Sequence, residues 1–341
     1  AYEIYQCDWS SDVCSSALMA KVLHPVASRP MVSHVLAAAR SLKPERLVVV
    51  LAPKMESVAK VVAPAAVAVQ RVPRGTADAV KAALPSLEGF NGNVLIVYAD
   101  QPLVTATTLR TLVSRLKGAG LAVLGFTPRD PAAYGRLVRD AAGELVAIRE
   151  YRDATPEERQ IGLCNSGMMA VRADVLRRLL PKVDAENVKR EFYLTDLVSL
   201  ARAEGTRCVA IEGVEEELQG VNSRAELAGA EAIMQRRLRN AAMAAGATLV
   251  DPESVWLSAD TKLAADVVIG PSVFCGPGVS IGAGTEIQAF CHIHGARIGK
   301  NAIVGPFARL RPGAVIGDGA HIGNLDRKST RLKSSHTDIS R

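Results

Sequence analysis

Aromatic side chains are scarce, at 4% of 341 residues and with only two Trp. That argues against a surface that stacks the bases of single-stranded nucleic acid. Lys and Arg outnumber Asp and Glu by 41 to 35, but the cations are spread along the chain and mixed with acids. No basic stripe results, and a nucleic-acid partner is not expected. The diffuse net charge of +6 suits a small anion such as a sugar phosphate or a nucleotide. Long apolar runs are missing too: none approaches the ~20 residues a membrane-spanning helix needs, so no membrane partner is expected. The first residues lack a basic stretch followed by an apolar one, so no secretory signal is evident. Six cysteines, Cys7, Cys14, Cys164, Cys208, Cys275 and Cys291, form no C-x-x-C pair. A zinc or thioredoxin-like site is therefore not expected, and the thiols read as reduced in a cytoplasmic protein.

What is present fills more than one domain. Residues 1–16 (AYEIYQCDWSSDVCSS) show no sustained period, and residues 326–341 (DRKSTRLKSSHTDISR) are a polar, basic tail directly after a regular repeat. Both ends resemble translated adapter sequence and are expected to be artefacts; natural disordered termini are the alternative. Between them, 17–224 alternates apolar runs with amphipathic stretches. Helices are predicted at Pro30–Ser41, Ala77–Leu84 and Thr107–Lys117, and strands at Leu47–Ala52, Asn93–Asp100 and Leu121–Phe126. Continuous apolar strands alternating with helices predict an α/β fold with a doubly wound, mostly parallel sheet, Rossmann-like, covered on both faces. Ligands of such sheets bind at the carboxyl ends of the strands. Residues 225–249 are predicted to be a linker helix, ended by Gly246, long enough to hold two domains apart.

From 250 to 325 the pattern changes. Apolar residues or Cys recur every six: Leu257, Leu263, Ile269, Cys275, Ile281, Ile287 and Ile293; after one step of five, Ile298, Val304, Leu310, Ile316 and Ile322 follow. Small or β-branched residues sit four further on, as at Val273, Val279, Thr285, Ala302 and Ala308. This is a hexapeptide repeat, three to a coil, and it predicts a left-handed parallel β-helix of about four coils. His292, His294 and His321 lie on the repeat and read as solvated or packing residues.

Ordered motifs carry a family resemblance. KVLHPVASRPMVSHVL (Lys21–Leu36), RVPRGTADAV (Arg71–Val80), VYADQPL (Val97–Leu103), YGRLV (Tyr134–Val138), IREYRDAT (Ile148–Thr155), LCNSGM (Leu163–Met168), EFYLTDLV (Glu191–Val198) and LQGVNSRAEL (Leu218–Leu227) precede GPFARLRPGAVIGDGAHIGN (Gly305–Asn324). Over about 17–325 the chain resembles the bifunctional N-acetylglucosamine-1-phosphate uridyltransferase/glucosamine-1-phosphate N-acetyltransferase family (GlmU type). The resemblance implies Mg²⁺-dependent uridylyl transfer from UTP to N-acetylglucosamine-1-phosphate, in the synthesis of UDP-N-acetylglucosamine for the cell wall. It also implies a homotrimer built on the β-helix. Phosphoryl transfer needs charge neutralisation and in-line positioning, which explains the residue types. The resemblance makes Lys21 a phosphate-neutralising cation, and Asp100 and Asn222 the Mg²⁺ ligands; these three are the expected catalytic residues. It places Gln70 on the uracil edge, Gly75 and Thr76 against uracil and ribose, and Tyr98 and Ala99 along the nucleotide. Gly135, Glu150 and Asn165 are expected on the amino sugar, and Arg311 on a sugar phosphate of the acetyltransferase half. Without the motifs, Asp100 reads as a turn or N-cap residue, Thr76 as a helix N-cap and Glu150 as a solvated acid. The family has Gly where Ala99 stands, a departure expected to crowd the site slightly.

Two family parts are not found. The strand and glycine-rich loop of form L-A-A-G-x-G-T-x-M, which wraps the triphosphate, has no counterpart. The catalytic His of acetyl transfer and the contacts for the co-substrate acetyl-CoA are expected beyond the last residue. The expectation is a fragment without its first strand, with little or no uridyltransferase activity and no acetyl transfer. Alternatives are another sugar-1-phosphate nucleotidyltransferase, such as an adenylyltransferase, or a non-catalytic β-helix that serves oligomerisation.

Overall fold

A computed structural model of the chain describes residues 2–6, 19–131 and 134–323, the first five by their backbone alone. Cys7, Cys14, the rest of the head and the tail 326–341 lie outside the described residues. Two compact units are present: Pro30–Leu227 with the described residues before Pro25, and Pro25–Arg29 with the described residues from Ala228 on.

The first unit is built on a nine-stranded sheet. Its strands are β1 (Tyr2–Gln6), β2 (Arg46–Leu51), β3 (Ala66–Val69), β4 (Asn93–Tyr98), β5 (Leu121–Phe126), β6 (Arg136–Arg139), β7 (Leu145–Arg149), β8 (Cys164–Arg172) and β9 (Cys208–Glu212). The order is β9-β5-β8-β4-β1-β2-β3, with β6 and β7 attached beside β8. All pairs along this path are parallel except those of β8, which runs antiparallel to β4 and β5.

Continuous apolar strands are needed because both faces are covered. Val48, Val50, Val94, Ile96, Leu121 and Val123 enter one core with α3 (Thr76–Ala83), α5 (Ala173–Leu179) and α6 (Asp196–Ala203). Their neighbours Val49, Leu51, Leu95, Val97, Ala122 and Leu124 enter the other with α1 (Met31–Arg40), α2 (Glu56–Val62) and α4 (Ala106–Ser114). The period of two thus divides each strand between the two layers. Helices α1, α3 and α4 fall within a few residues of the predicted ranges.

Three expectations change. The sheet does not lack a central strand: β1, drawn from the head, pairs in parallel with both β4 and β2. A gap there would leave two rows of backbone N–H and C=O groups without partners, and YEIYQ has the aromatic and β-branched content that suits a strand. Asp100 does not end a strand. Strand β4 stops at Tyr98, and Asp100 stands in the turn that follows. The helix Arg224–Ala244 (α8; α7 is the short Glu215–Leu218) is more than a spacer. From Ala228 on it belongs to the second unit, where the buried Gln235 donates to the Leu257 carbonyl (2.7 Å) and accepts from its N–H (2.9 Å).

The second unit is the β-helix. Thirteen two-residue strands stack in three parallel sheets of five, four and four. The second residue of each points inward, and all of the predicted inward positions are buried except Leu263, which is half-buried. Partners lie 18 residues apart before the five-residue step (Cys275↔Ile293), 17 across it (Ile281↔Ile298) and 18 after it (Ile298↔Ile316). Thr248–Leu249 also joins the stack against Val268–Ile269. It escapes the count of six because Leu249 lies eight residues before Leu257. The hydroxyl of the buried Thr285 donates to the Gly299 carbonyl (2.7 Å) and accepts from the Ala302 N–H (3.1 Å), so an inward polar residue costs little. His292 stacks on Phe274 (4.8 Å), and His294 and His321 are exposed.

Candidate functional site

The carboxyl ends of β2, β3, β4 and β5 share one edge of the sheet, and antiparallel β8 enters the sheet there. Lys21 lies in a 3-10 turn, Lys21–Leu23, ahead of α1. Its ammonium donates to Asp100 Oδ2 (2.7 Å) and Asn222 Oδ1 (2.8 Å), partners 79 and 201 positions away in the chain. Both side chains of the Lys21–Asp100 pair are 11% exposed. The Val221 N–H donates to the Asp100 carbonyl (2.9 Å), which ties the loop carrying Asn222 to the turn carrying Asp100. Among the described residues no group of three or more His, Cys, Asp or Glu is placed to hold a metal ion. The oxygen donors that converge here are one carboxylate and one amide.

Gly135, Glu150 and Asn165 form a second cluster. The Asn165 N–H donates to the Gly135 carbonyl (2.8 Å), and a Cβ on Gly135 would stand 3.4 Å from Glu150 Oε1. Burial pushes the Glu150 carboxyl above the usual range, opposed by the Thr195 hydroxyl, which donates to it at 3.4 Å. Asn165 Oδ1 accepts from the Gly167 N–H (2.9 Å). Gly167 has φ +87°, and a Cβ there would meet the Tyr98 ring at 2.6 Å, so only glycine lets this loop lie on Tyr98. Tyr98 thus links the Asn165–Gly167 loop to the Asp100 turn. Ala99 is fully buried in the second core, where its methyl packs among apolar side chains.

Gln70, Gly75 and Thr76 form the third cluster, beyond β3. Gln70 is 3% exposed, and its Nε2 donates to the Gly75 carbonyl (3.2 Å) and to Asp78 Oδ2 (2.9 Å). The N-cap of α3 is Gly75 and not Thr76. Gly75 has φ +116°, and a Cβ would stand 2.5 Å from the Phe192 carbonyl oxygen, which is reason enough for glycine. Thr76 Oγ1 instead accepts from the Leu194 N–H (2.8 Å). The EFYLTDLV segment therefore joins the third cluster, through Leu194, to the second, through Thr195. Arg311 lies exposed on the β-helix, in the other unit.

Several positioning residues went unread in the sequence. Gln101, 5% exposed, donates from Nε2 to the carbonyls of Ser166 (2.8 Å) and Leu218 (2.7 Å), which pins all three loops together. Glu226 Oε2 accepts from the N–H groups of Asn222 (2.6 Å) and Ser223 (2.7 Å), while Ser223 Oγ accepts from the Glu226 N–H (3.1 Å). That is a capping box, legible as Ser-x-x-Glu. Tyr134 packs edge-on against Phe126 (5.0 Å), and burial, then the charges of Glu226 and Glu215, push its phenol up. Arg136, fully buried, donates to the carbonyls of Pro131 (2.8 Å), Tyr134 and Arg159 (3.2 Å) and so shapes the loop before Gly135.

Fold and site define a nucleotidyltransferase-type α/β unit followed by a hexapeptide β-helix. Residues 17–161 match the MobA-like NTP transferase domain, and 295–324 match the bacterial transferase hexapeptide (six repeats). The fold also resembles a nucleoside-diphosphate-sugar pyrophosphorylase from Vibrio cholerae, with TM-score 0.54 and 11% identity over 67% of this chain and 99% of that one. The chain is 56% identical over 285 residues to the bifunctional protein GlmU of Rhodospirillum rubrum, covering 83% of this chain and 64% of that protein. Against GlmU of Paramagnetospirillum magneticum the identity is 52%, over 82% of this chain and 62% of that protein. Over most of its own length the chain is thus similar to the GlmU bifunctional proteins, and it spans less than two thirds of the length of these relatives.

Proposed function

We propose that the α/β unit serves Mg²⁺-dependent uridylyl transfer. A phosphate oxygen of N-acetylglucosamine-1-phosphate attacks the α-phosphorus of UTP, the bond to the bridging oxygen breaks, and pyrophosphate leaves as UDP-N-acetylglucosamine forms. The observation that carries this reading is the seat of the Lys21 ammonium between Asp100 Oδ2 and Asn222 Oδ1. Two oxygens from distant parts of the chain already hold one cation. Such a pair fits Mg²⁺, which takes one or two protein oxygens and keeps other positions for water and phosphate. Bound Mg²⁺ supplies charge neutralisation on the triphosphate. Asp100 and Asn222 would hold it, and Lys21, released from them, would turn to phosphate oxygens. Glu150, Gly135 and Asn165 would accept from and orient the amino sugar. Gln70, Gly75 and Thr76 would hold uracil and ribose.

Calorimetric titration of the chain with UTP and ATP in the presence of Mg²⁺ tests the reading. UTP should bind more tightly, and Asp100→Asn should remove the Mg²⁺-dependent part. Tighter binding of ATP would defeat uridylyl specificity in favour of the adenylyltransferase alternative.

The β-helix supports a second reading, self-association as a trimer. Phe290 and Phe307, each 54% exposed, stack at 5.0 Å on one corner of the prism and offer an apolar contact. Light scattering should report a trimer; a strict monomer rules this reading out. Among the described residues no helix is long and apolar enough to cross a membrane. Four cysteines, Cys164, Cys208, Cys275 and Cys291, are free and buried. A cytoplasmic setting, where thiols stay reduced, suits them.

A further inference from the structure

The amide of Gln70 has a fixed polarity. Its nitrogen faces Asp78 Oδ2 at 2.9 Å and the Gly75 carbonyl at 3.2 Å. A carboxylate and a carbonyl only accept, so the amide cannot turn over without setting oxygen against oxygen. Gln70 Oε1 is therefore left as the free end, enclosed and without a hydrogen-bond partner among the described residues. Among the described residues the other charged partner of Asp78 is loose: Arg74 Nη2 stands 3.7 Å from it and the Arg74 side chain is 62% exposed. Asp78 is bonded to Gln70 across one turn of backbone, at the entrance to α3, beside Gly75 and Thr76.

We infer that Asp78 is a positioning residue that sets the base preference of the site. By holding the Gln70 nitrogen, it commits Gln70 to accept a hydrogen bond through Oε1. A base with a ring N–H donor, such as uracil, then satisfies that oxygen. A base with a ring acceptor, such as cytosine, meets it with a second acceptor and is rejected. A buried polar group left unpaired by the wrong ligand is the strongest source of such selectivity. The Arg71–Arg74 segment that follows Gln70 is irregular and exposed at every residue, and the inference has it yield as the base enters. The inference rests on the uridylyl-transfer reading, in which Gln70 faces the base.

The test is calorimetric titration of the whole chain with UTP and with CTP, each with Mg²⁺, comparing wild type with Asp78→Asn. Asparagine keeps the shape but can offer an N–H to the Gln70 oxygen, so only the longer contact to the Gly75 carbonyl (3.2 Å) still opposes turning the amide over to present its nitrogen. Wild type should favour UTP at least tenfold. The variant should bring the two affinities within about threefold, UTP weakening as CTP tightens. A general loosening of the fold would weaken both nucleotides and leave their ratio alone. If Asp78→Asn fails to fold by circular dichroism, Asp78→Ala, which leaves only the Gly75 carbonyl on the amide nitrogen, is read in the same way. A ratio unchanged in the variant, with wild type favouring UTP, overturns the role of Asp78 and leaves the uridylyl reading standing. A wild type that does not favour UTP overturns both.

Discussion

Lys21 reaches oxygens contributed by residues 79 and 201 positions downstream, and that juxtaposition gives the site its centre. The residue types were legible in the motifs, but the direct contact was not, because no local pattern relates three such distant positions. Replacing Lys21 with Met removes a donor of charge-assisted hydrogen bonds, each worth about 1.5–3 kcal/mol. Binding of UTP with Mg²⁺ should weaken by about 10- to 100-fold by calorimetry; an unchanged affinity would show that Lys21 plays no part with phosphate. Glu150 allows a second check at this scale. Its carboxyl is held above the ordinary range, mainly by burial. A raised carboxyl contributes stability that is full below the ordinary glutamate range and is lost as pH rises through the raised value. Glu150→Gln carries no charge at any pH. It should therefore raise the thermal midpoint relative to wild type more at pH 8 than at pH 4. Equal increments at both pH values would show that the buried charge is not the cause.

Elements hold these residues in place, and they differ in how openly the sequence declares them. The capping box at the start of α8 is written out as Ser223-x-x-Glu226, yet its second use is not: the same Glu226 oxygen also holds the N–H of Asn222. Glu226→Ala should cost about 1 kcal/mol in denaturant unfolding. It should also weaken Mn²⁺ binding measured by electron paramagnetic resonance, while Glu226→Gln retains most of both. Loss of stability with unchanged Mn²⁺ affinity would make the box a cap and nothing more. Gln101 gives no signal at all in sequence, since a glutamine after Asp100 matches a surface turn as well as a buried clamp. In the β-helix the reverse holds, because the period of six makes nearly every inward side chain readable. Ile287, fully buried, lies in register between Ile269 and Val304. Ile287→Ala should destabilise the β-helix by about 2–5 kcal/mol, seen as a lower denaturant midpoint.

At the scale of the whole molecule, both architectures were legible because each has one repeating physical requirement. A two-faced sheet demands unbroken apolar strands, and Val48–Leu51, Val94–Val97 and Leu121–Leu124 supply them. A three-sided coil demands an inward residue at each step, and the hexapeptides supply it. The central strand was not legible, since five residues with two tyrosines and one isoleucine make too short a run to show a period. What places them is the demand of β2 and β4 for a partner, which is a property of the assembled sheet and not of the segment. The register is complete, with Tyr2 opposite Arg46 and Val94, and Gln6 opposite Val50 and Tyr98. A strand paired on both sides does not tolerate proline, which removes a ladder hydrogen bond. Ile4→Pro should therefore cost on the order of 3 kcal/mol, and Ile4→Val, which keeps the N–H, much less. Urea unfolding followed by circular dichroism reads the difference. If the two variants unfold at the same midpoint as wild type, the sheet stands without β1, and the head contributes nothing to the fold that presents Asp100.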